Sequence, residues 1–311
     1  PLAAGATLVI LTAAALNRAD KVLDALERHA ITHTASSPSL LRMILDQDAA
    51  RFAHLPLLAR WFVGADALNP GLISAVQAAR PGLQLTYFYG STEVSSDVTY
   101  FDVPPGYVTD APTTPIGVPL ANTGLYLLDA FLEPVAEGMP GEIHVSGAQL
   151  ARGYLFDPQL TAEKFIPDPF SDTVGARLYR TGDLAYRRPD GNLVVIGRND
   201  DQLNLYGHRI ELGEIEHALR SLGPVRDAVV LPHRQAEHAM LVAYVVCTDS
   251  VFMAEVGKHL AARLPDYMIP ALFIALEALP VTALGKIDRA ALRGLDLGLA
   301  TSGHHAAVET P

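Results

Sequence analysis

The sequence predicts an α/β fold: a parallel-sheet subdomain plus a small antiparallel, β-barrel-like subdomain, followed by a small C-terminal α+β domain. Three observations indicate this fold. Strands and helices alternate in the first third, short strands separated by turn signals follow from about Ile116, and helices mix with strands again after Asp200. With 311 residues, half of them hydrophobic, the chain is long enough to bury more than one core.

The first third has the periodicity of alternating strands and helices. Val22, Leu23 and Leu26 fall on one helical face, and Ser37 and Asn69, each followed by proline, are start signals for two further helices. The segments predicted as strands are LVIL, whose partners are expected upstream of Pro1, and then ITHTA, WFVGADA and LQLTYFYG. Because consecutive β-α-β units run in the same direction, this part is expected to form a parallel sheet with helices on its faces.

The second part contains short strands bounded by the turn signals EGMPG and RPDGN. Its strand segments are GLYLLD, GEIHVSG, RLYRTGDLAYRR and NLVVIG. A dense charged stretch, residues 197–216, then leads into the mixed helices and strands of a compact α+β unit. The predicted boundaries are 1–199 for the larger part, 200–296 for the small domain and 297–311 for a polar linker.

Charge and composition narrow the functional classes. The formal net charge of −11 argues against a nucleic-acid partner held by a basic surface. No apolar run reaches the ~18 residues of a membrane span, so no membrane partner is expected. The single cysteine, Cys247, cannot form an internal disulfide and fits a reducing compartment, which predicts a cytoplasmic location.

The segment FYGSTE, residues 88–93, lies at the carboxyl end of a predicted parallel strand, where open α/β sheets bind ligands. Gly90 permits a tight turn and close approach of a ligand, Thr92 offers a hydroxyl for a phosphate, and Glu93 offers a carboxylate for Mg²⁺. Taken by itself, a surface turn with a helix cap explains this segment about as well.

Two further turns carry charged side chains. Asp183 ends a strand in RLYRTGDL and could accept ribose hydroxyls, although its spacing alone favours a turn aspartate that binds its own backbone. Lys286 follows Gly285 in LGKIDR and could bring a positive charge to a phosphate or carboxylate, although most lysines simply solvate a surface.

Six segments are more informative together than singly. In chain order they are YGSTE, GEIHVSGAQLARGYL, YRTGDL, GRNDDQLNLYGHRIELGEIE, LPDYMIP and LGKIDR. This series closely resembles the core motifs of the adenylate-forming, AMP-binding enzymes, and most of all the adenylation domains of nonribosomal peptide synthetases. The resemblance extends from the first strands to about Leu295, and six ordered motifs make a chance match negligible.

The resemblance implies a ligase-type enzyme that activates an amino acid with ATP and Mg²⁺. The products are an aminoacyl adenylate and pyrophosphate, and the aminoacyl group then passes to the phosphopantetheine thiol of a peptidyl carrier domain. In the matching motifs, Thr92 would contact the α-phosphate, Glu93 would bind Mg²⁺ and Tyr89 would lie near the adenine. Asp183 would hold the ribose hydroxyls with help from Arg198.

The same resemblance assigns the remaining roles. Lys286 would bridge the substrate carboxylate and the phosphate, Asp200 would be the hinge of the small domain, and Gly207 would move to the face that admits the pantetheine arm. The residues expected to line the amino-acid pocket are Ala35, Phe62, Gly64, Phe88, Ser96 and Asp97. For Phe62 and Phe88 the alternative is plain core packing.

Several departures from the family pattern stand out. The family's Gly/Ser/Thr-rich phosphate loop and the aspartate for the substrate amino group would lie upstream of Pro1. The chain is therefore expected to lack the N-terminal portion of its domain and to adenylate weakly or not at all alone. Ser91 stands where many synthetase domains have proline, Asn204 where lysine is common, and Leu284 where asparagine is common.

Two alternatives remain open at this point. One is an acyl- or aryl-CoA synthetase, although GHRIELGEIE and LPDYMIP favour the peptide synthetase interpretation. The other is a non-catalytic fragment that serves as a binding or docking module.

Overall fold

Two units make up the chain, one spanning Pro1–Asp200 and the other Asp201–Pro311. The computed structural model describes residues 2–16, 18–109, 111, 113–200, 202–205, 208–235, 238–247, 253–282 and 287–295. Each unit is described by itself below.

The first unit begins with a sheet whose strands follow the order β1-β2-β3-β4-β5. Its elements are α1 (Ala13–Leu16), α2 (Ala19–Arg28), β1 (His33–Ser36), α3 (Pro38–Ala53), β2 (Arg60–Val63), α4 (Pro70–Ala79), β3 (Gln84–Tyr89), β4 (Thr99–Asp102) and β5 (Val118–Pro119). Strands β1, β2 and β3 are parallel, whereas β4 and β5 are added antiparallel. The predicted parallel sheet is confirmed, and the two antiparallel strands at its edge are additional.

The helices of this sheet begin where their capping residues predict. The Ser37 hydroxyl accepts a hydrogen bond from the Leu40 amide at 3.3 Å, and the Asn69 side chain accepts one from the Gly71 amide at 2.7 Å. Along β2, Trp61 and Val63 are buried, while Phe62 between them faces the opposite side of the sheet and is partly exposed. The two faces of the sheet therefore differ, one packed into the core and the other partly open.

The strand predicted for LVIL is wrong. Residues 6–12 form no regular element, and Leu8 and Ile10 are 52% and 82% exposed. An isolated extended segment leaves its backbone groups without partners, and none of the described strands pairs with these residues. This hydrophobic run therefore has the composition of a strand, but no described strand lies beside it to form hydrogen bonds with it.

The second sheet of this unit is antiparallel and has the order β10-β9-β7-β6, with β8 also paired to β9. Its elements are β6 (Thr123–Leu128), β7 (Gly141–Gly147), α5 (Pro158–Lys164), β8 (Phe165–Pro167), β9 (Arg177–Arg187) and β10 (Leu193–Arg198). The predicted antiparallel sheet is confirmed. The sequence did not predict α5, which Asp157 caps by accepting a hydrogen bond from the Leu160 amide at 2.9 Å.

The unit after Asp200 has the predicted α+β character. Its elements are β11 (Gln202–Leu205), β12 (His208–Glu211), α6 (Leu212–Arg220), β13 (Val225–Gln235), β14 (His238–Cys247), α7 (Met253–Ala261), β15 (Leu272–Leu276) and α8 (Arg289–Arg293). Strands β13, β14 and β15 form one sheet, while β11 and β12 form a separate hairpin within the charged stretch. Among the described helices of the chain, none is both long enough and apolar enough to cross a membrane.

Candidate active site

The YGSTE segment makes a sharp turn at the carboxyl end of β3. Gly90 follows the strand directly, and a short 3-10 helix, Thr92–Val94, comes next. The chain then folds back so closely that a Cβ on Gly90 would overlap the carbonyl oxygen of Ser96. This turn leaves the Thr92 side chain exposed and turns Glu93 inward.

Glu93 is buried, with 7% of its surface exposed, and its carboxylate accepts a hydrogen bond from the Tyr154 hydroxyl at 2.7 Å. The Glu93 carbonyl accepts a further bond from the Ala151 amide at 2.8 Å. Tyr154 and Ala151 belong to the ARGYL segment, so the structure brings the first two motifs together. Burial, followed by the bond to Glu93, raises the pKa of Tyr154, and its hydroxyl therefore stays a donor. Tyr154 was not among the site residues predicted from the sequence.

Three predicted nucleotide residues from distant parts of the chain meet at Asp183. Its carboxylate accepts a hydrogen bond from the Tyr89 hydroxyl at 2.5 Å and another from the Arg198 guanidinium at 2.6 Å. Burial raises the pKa of Asp183, and the Arg198 charge opposes that rise. Burial, and then the charge of Asp183, raises the pKa of Tyr89 as well, so the phenol remains protonated. Each carboxylate oxygen keeps a second lone pair with which to accept another donor.

A kink in β9 presents Asp183 to this cluster. Opposite β9, Glu142 pairs with Leu184 and His144 pairs with Arg180, so residues 181–183 together face a single residue of β7. Gly182 has a φ of +79°, and an added Cβ would come within 2.7 Å of an Arg198 nitrogen. The backbone angle therefore favours glycine at this turn, and an added Cβ would also force the side-chain ends of Asp200 and Arg198 to shift.

Asp200, the predicted hinge, is bound to the same guanidinium as Asp183. Its carboxylate accepts hydrogen bonds from Nε and Nη2 of Arg198 at 2.7 and 2.9 Å, and Lys164 Nζ lies 3.5 Å from Oδ2. All three side chains are largely buried, which strengthens these charge pairs relative to pairs in water. Lys164, the last residue of the helix that follows the ARGYL segment, was not among the site residues predicted from the sequence.

Four of the six predicted pocket residues come together at the ends of β1, β2 and β3. Ala35 and Phe62 are partners across the β1–β2 ladder, the Phe62 and Phe88 rings lie 5.6 Å apart, and a Cβ on Gly64 would be 3.7 Å from that of Phe88. Both rings are partly exposed and are not part of the buried core. The role of these residues in substrate binding stays a prediction.

The other two pocket residues, Ser96 and Asp97, lie beside Gly90 in the turn that follows YGSTE. Ser96 has a φ of +87°. Burial raises the pKa of Asp97, and a hydrogen bond with Ser96 opposes that rise. The predicted Lys286 and Gly207, and the predicted linker, lie outside the described residues.

The residues present fit a magnesium ion bound together with a nucleotide. No group of three or more histidine, cysteine, aspartate or glutamate side chains suited to a metal occurs in the part of the chain that the structure describes. Mg²⁺ usually binds through one or two carboxylates together with substrate phosphates and water, so it needs no such group. The carboxylate of Glu93 therefore provides the kind of ligand that a nucleotide-bound ion takes.

His144 is a fully buried histidine in the strand beside the β9 kink. Its Nδ1 lies 3.1 Å from the carbonyl oxygen of Glu142, and Nε2 has no hydrogen-bond partner within the described residues. Burial lowers the pKa of His144; Glu142 opposes this effect, and the Arg180 charge adds to it.

We expect the stability of the first unit to fall as the pH decreases below about 6.5, because His144 takes up a proton more readily when unfolded. The slope contributed by this histidine is at most ~1.4 kcal/mol per pH unit. Urea unfolding at pH 7.5, 6.5 and 5.5, followed by the fluorescence of Trp61, measures it. His144→Leu should flatten the dependence and the exposed-site variant His54→Gln should not; equal slopes in all three proteins would contradict this account.

Comparison with known proteins defines the class. The family signature of the AMP-binding enzymes matches residues 1–155, and that of the AMP-binding enzyme C-terminal domain matches residues 214–286. The chain belongs to the AMP-binding enzyme family.

Curated relatives at about 40% identity are peptide synthetases. Malpinin synthetase of Mortierella alpina is 40% identical over 280 residues, covering 86% of this chain and 4% of that protein. Tyrocidine synthase 3 of Brevibacillus parabrevis is 39% identical over 289 residues, covering 93% of this chain and 4% of that protein. The chain thus spans a small fraction of the length of these relatives.

Solved structures give the same fold. The crystal structure of IdnL1 is 30% identical with a TM-score of 0.81, covering 90% of this chain and 57% of that one. PA1221, an NRPS protein containing adenylation and PCP domains, is 29% identical with a TM-score of 0.74, covering 88% of this chain and 46% of that one. The α/β architecture is therefore that of an adenylation domain.

Proposed function

We propose that this chain belongs to an enzyme that activates an amino acid with ATP and transfers it to the phosphopantetheine thiol of a carrier domain during nonribosomal peptide synthesis. The observation that carries the proposal is the meeting of Asp183 and Arg198, from the antiparallel sheet, with Tyr89 at the carboxyl end of the parallel strand β3. Relatives of about 40% identity that are peptide synthetases support the choice of substrate class. A cytoplasmic location is part of the proposal, because the chain has a single cysteine.

In the first step, an oxygen of the amino-acid carboxylate attacks the α-phosphorus of ATP. A carboxyl–phosphate bond forms, and the bond to the β-phosphate oxygen breaks as pyrophosphate leaves. Asp183 accepts hydrogen bonds from the ribose hydroxyls through its remaining lone pairs, while Arg198 keeps that carboxylate oriented. Thr92 donates to the α-phosphate, and Lys286 stabilises the negative charge that develops in the transition state.

Glu93 would hold a magnesium ion, which when bound neutralises phosphate charge. The Tyr154 hydroxyl occupies one oxygen of Glu93 and fixes the orientation of the carboxylate. This leaves the chain's own residues the tasks of orienting the nucleotide and binding the substrate side chain against Phe62 and Phe88.

In the second step, the carrier thiolate attacks the activated carboxyl carbon, a thioester forms and AMP leaves. The proposed pivot for this step is Asp200, and Gly207 would then line the face that meets the pantetheine arm.

The proposal is tested by amino-acid-dependent ATP–pyrophosphate exchange in a full-length adenylation domain that contains these residues. We expect exchange with one class of amino acid, and Lys286→Ala should reduce it by about 100- to 1,000-fold through lost charge stabilisation. Lys258→Ala, an exposed lysine of the same unit, is the matched control and should exchange normally.

Two outcomes would overturn the proposal. If a folded domain shows no exchange with any amino or aryl acid, the proposed adenylation activity is wrong. Exchange followed by efficient transfer to free coenzyme A, with none to a carrier domain, would instead favour an acyl- or aryl-CoA synthetase.

A further inference from the structure

The kink at residues 181–183 interrupts the hydrogen-bond ladder of β9, and its backbone groups need other partners. The Thr181 carbonyl accepts from Arg198 Nη2 at 2.9 Å, and the Gly182 carbonyl accepts from the Asn199 amide at 2.9 Å. The Asp183 amide donates to the Thr181 hydroxyl at 3.0 Å. One backbone donor of the kink, the Gly182 amide, is bound by a side chain of the neighbouring strand.

That side chain is Glu142 of β7, which is itself buried. Its Oε1 accepts a hydrogen bond from the Gly182 amide at 3.2 Å. Its Oε2 accepts from Arg180 Nη2 at 3.1 Å and from Asn199 Nδ2 at 3.0 Å. The Glu142 carboxylate therefore links Gly182, in the kink, to Asn199.

The three donors around Glu142 favour its ionised form. Burial by itself would raise the pKa of Glu142, but the hydrogen bonds and charges around it, that of Arg180 first, leave the pKa below its usual value. At neutral pH the carboxylate is therefore an acceptor at both oxygens, which matches the donors that face it.

We propose that Glu142 is a positioning residue for nucleotide activation: it fixes the Gly182 turn, and thereby the Asp183 carboxylate, in the orientation that binds the ribose. The inference rests on the proposed function. It goes further by giving a role to a residue that does not contact the cluster at Asp183 directly. Removal of the carboxylate leaves the buried Gly182 amide unsatisfied and the turn free to relax.

The test compares Glu142→Ala and Glu142→Gln with the parent in ATP–pyrophosphate exchange, using ATP and 2′-deoxy-ATP as alternative substrates. Since misplacement of a positioning group by about 1 Å can cost ~100-fold, kcat/KM for ATP should fall by up to that factor in Glu142→Ala. The loss for 2′-deoxy-ATP should be about tenfold smaller, because part of the ribose contact is already missing. The KM for the amino acid should not change.

Glu142→Gln retains an acceptor for the Gly182 amide but presents an amide nitrogen toward Arg180 and Asn199, so it should show an intermediate loss. Glu137→Gln, an exposed acid in the turn before β7, is the control for the lost charge. Should both Glu142 variants fail to fold, Asn199→Ala removes one contact of the same carboxylate and should reduce the preference for ATP in the same direction.

The outcomes separate the two proposals. A parent domain without exchange overturns the proposed function. A parent domain that exchanges, together with a folded Glu142→Ala variant of unchanged preference for ATP over 2′-deoxy-ATP, overturns the role of Glu142 and leaves the proposed function standing. If only Asn199→Ala folds, an unchanged preference of that variant for ATP over 2′-deoxy-ATP also overturns the role of Glu142.

Discussion

Gly90→Ala is expected to destabilise the first unit by at least about 3 kcal/mol and to abolish ATP binding. A Cβ at this position would overlap the carbonyl oxygen of Ser96 and come within 2.8 Å of the Asp97 Cα, both of which are backbone atoms. Backbone cannot move aside as the end of a flexible side chain can, so the turn must open. Urea unfolding followed by Trp61 fluorescence measures the stability, and calorimetry with ATP on a full-length domain measures the binding.

The matched control for this substitution is Gly82→Ala. Gly82 also lies in a turn of the first unit, and no atom would come within 4 Å of its added Cβ. This variant should stay within ~0.5 kcal/mol of the parent. A Gly90→Ala protein as stable as the Gly82→Ala protein would show that the turn after β3 is not as tightly folded as the structure has it.

Asp200→Pro is expected to slow thioester formation by about 100-fold and to reduce adenylation much less, because a fixed φ at the proposed pivot prevents the thiol and acyl group from being aligned. The measurements are pyrophosphate exchange for the first step and transfer of the aminoacyl group to a carrier domain for the second. Both are made on the same full-length preparation.

Asp200→Ala provides the control that the structure makes necessary. The Asp200 carboxylate is bound to Arg198 and lies near Lys164, so proline removes these contacts as well as restricting the backbone. Asp200→Ala removes only the side-chain contacts. The difference in the rate of thioester formation between the two variants therefore measures the effect of the restricted backbone. Equal losses of thioester formation in the two, or equal losses of both steps in Asp200→Pro, would count against a pivot at this position.

Most helices and strands were predicted correctly where the sequence signal, a capping residue or an apolar periodicity, lies within the element itself. Ser37 and Asn69 act as caps within three residues of their own position, and alternating apolar residues mark the buried faces of strands. LVIL failed because a strand is defined by a neighbour that composition does not encode. The pairing of β11 with β12 was missed because each strand has only four residues and lies within the charged stretch of residues 197–216.

The candidate site shows the same division. The motif resemblance named Tyr89, Asp183 and Arg198, yet the Tyr89–Asp183 contact joins residues 94 positions apart, which no local pattern encodes. Tyr154 and Lys164 were missed for the same reason. Their contacts with Glu93 and Asp200 depend on which distant segments the fold brings together, and a tyrosine or lysine in isolation has many ordinary uses.

The guanidinium of Arg198 is shared between Asp183 and Asp200. A nucleotide that weakens or strengthens the bond between Arg198 and Asp183 would therefore also change the strength of the bond between Arg198 and Asp200. Thermodynamic linkage then requires the reverse, so that release of Asp200 changes nucleotide affinity by the same free energy. Occupancy of the proposed ribose site and release of the chain at residue 200 would then be two expressions of one equilibrium, coupled through Arg198.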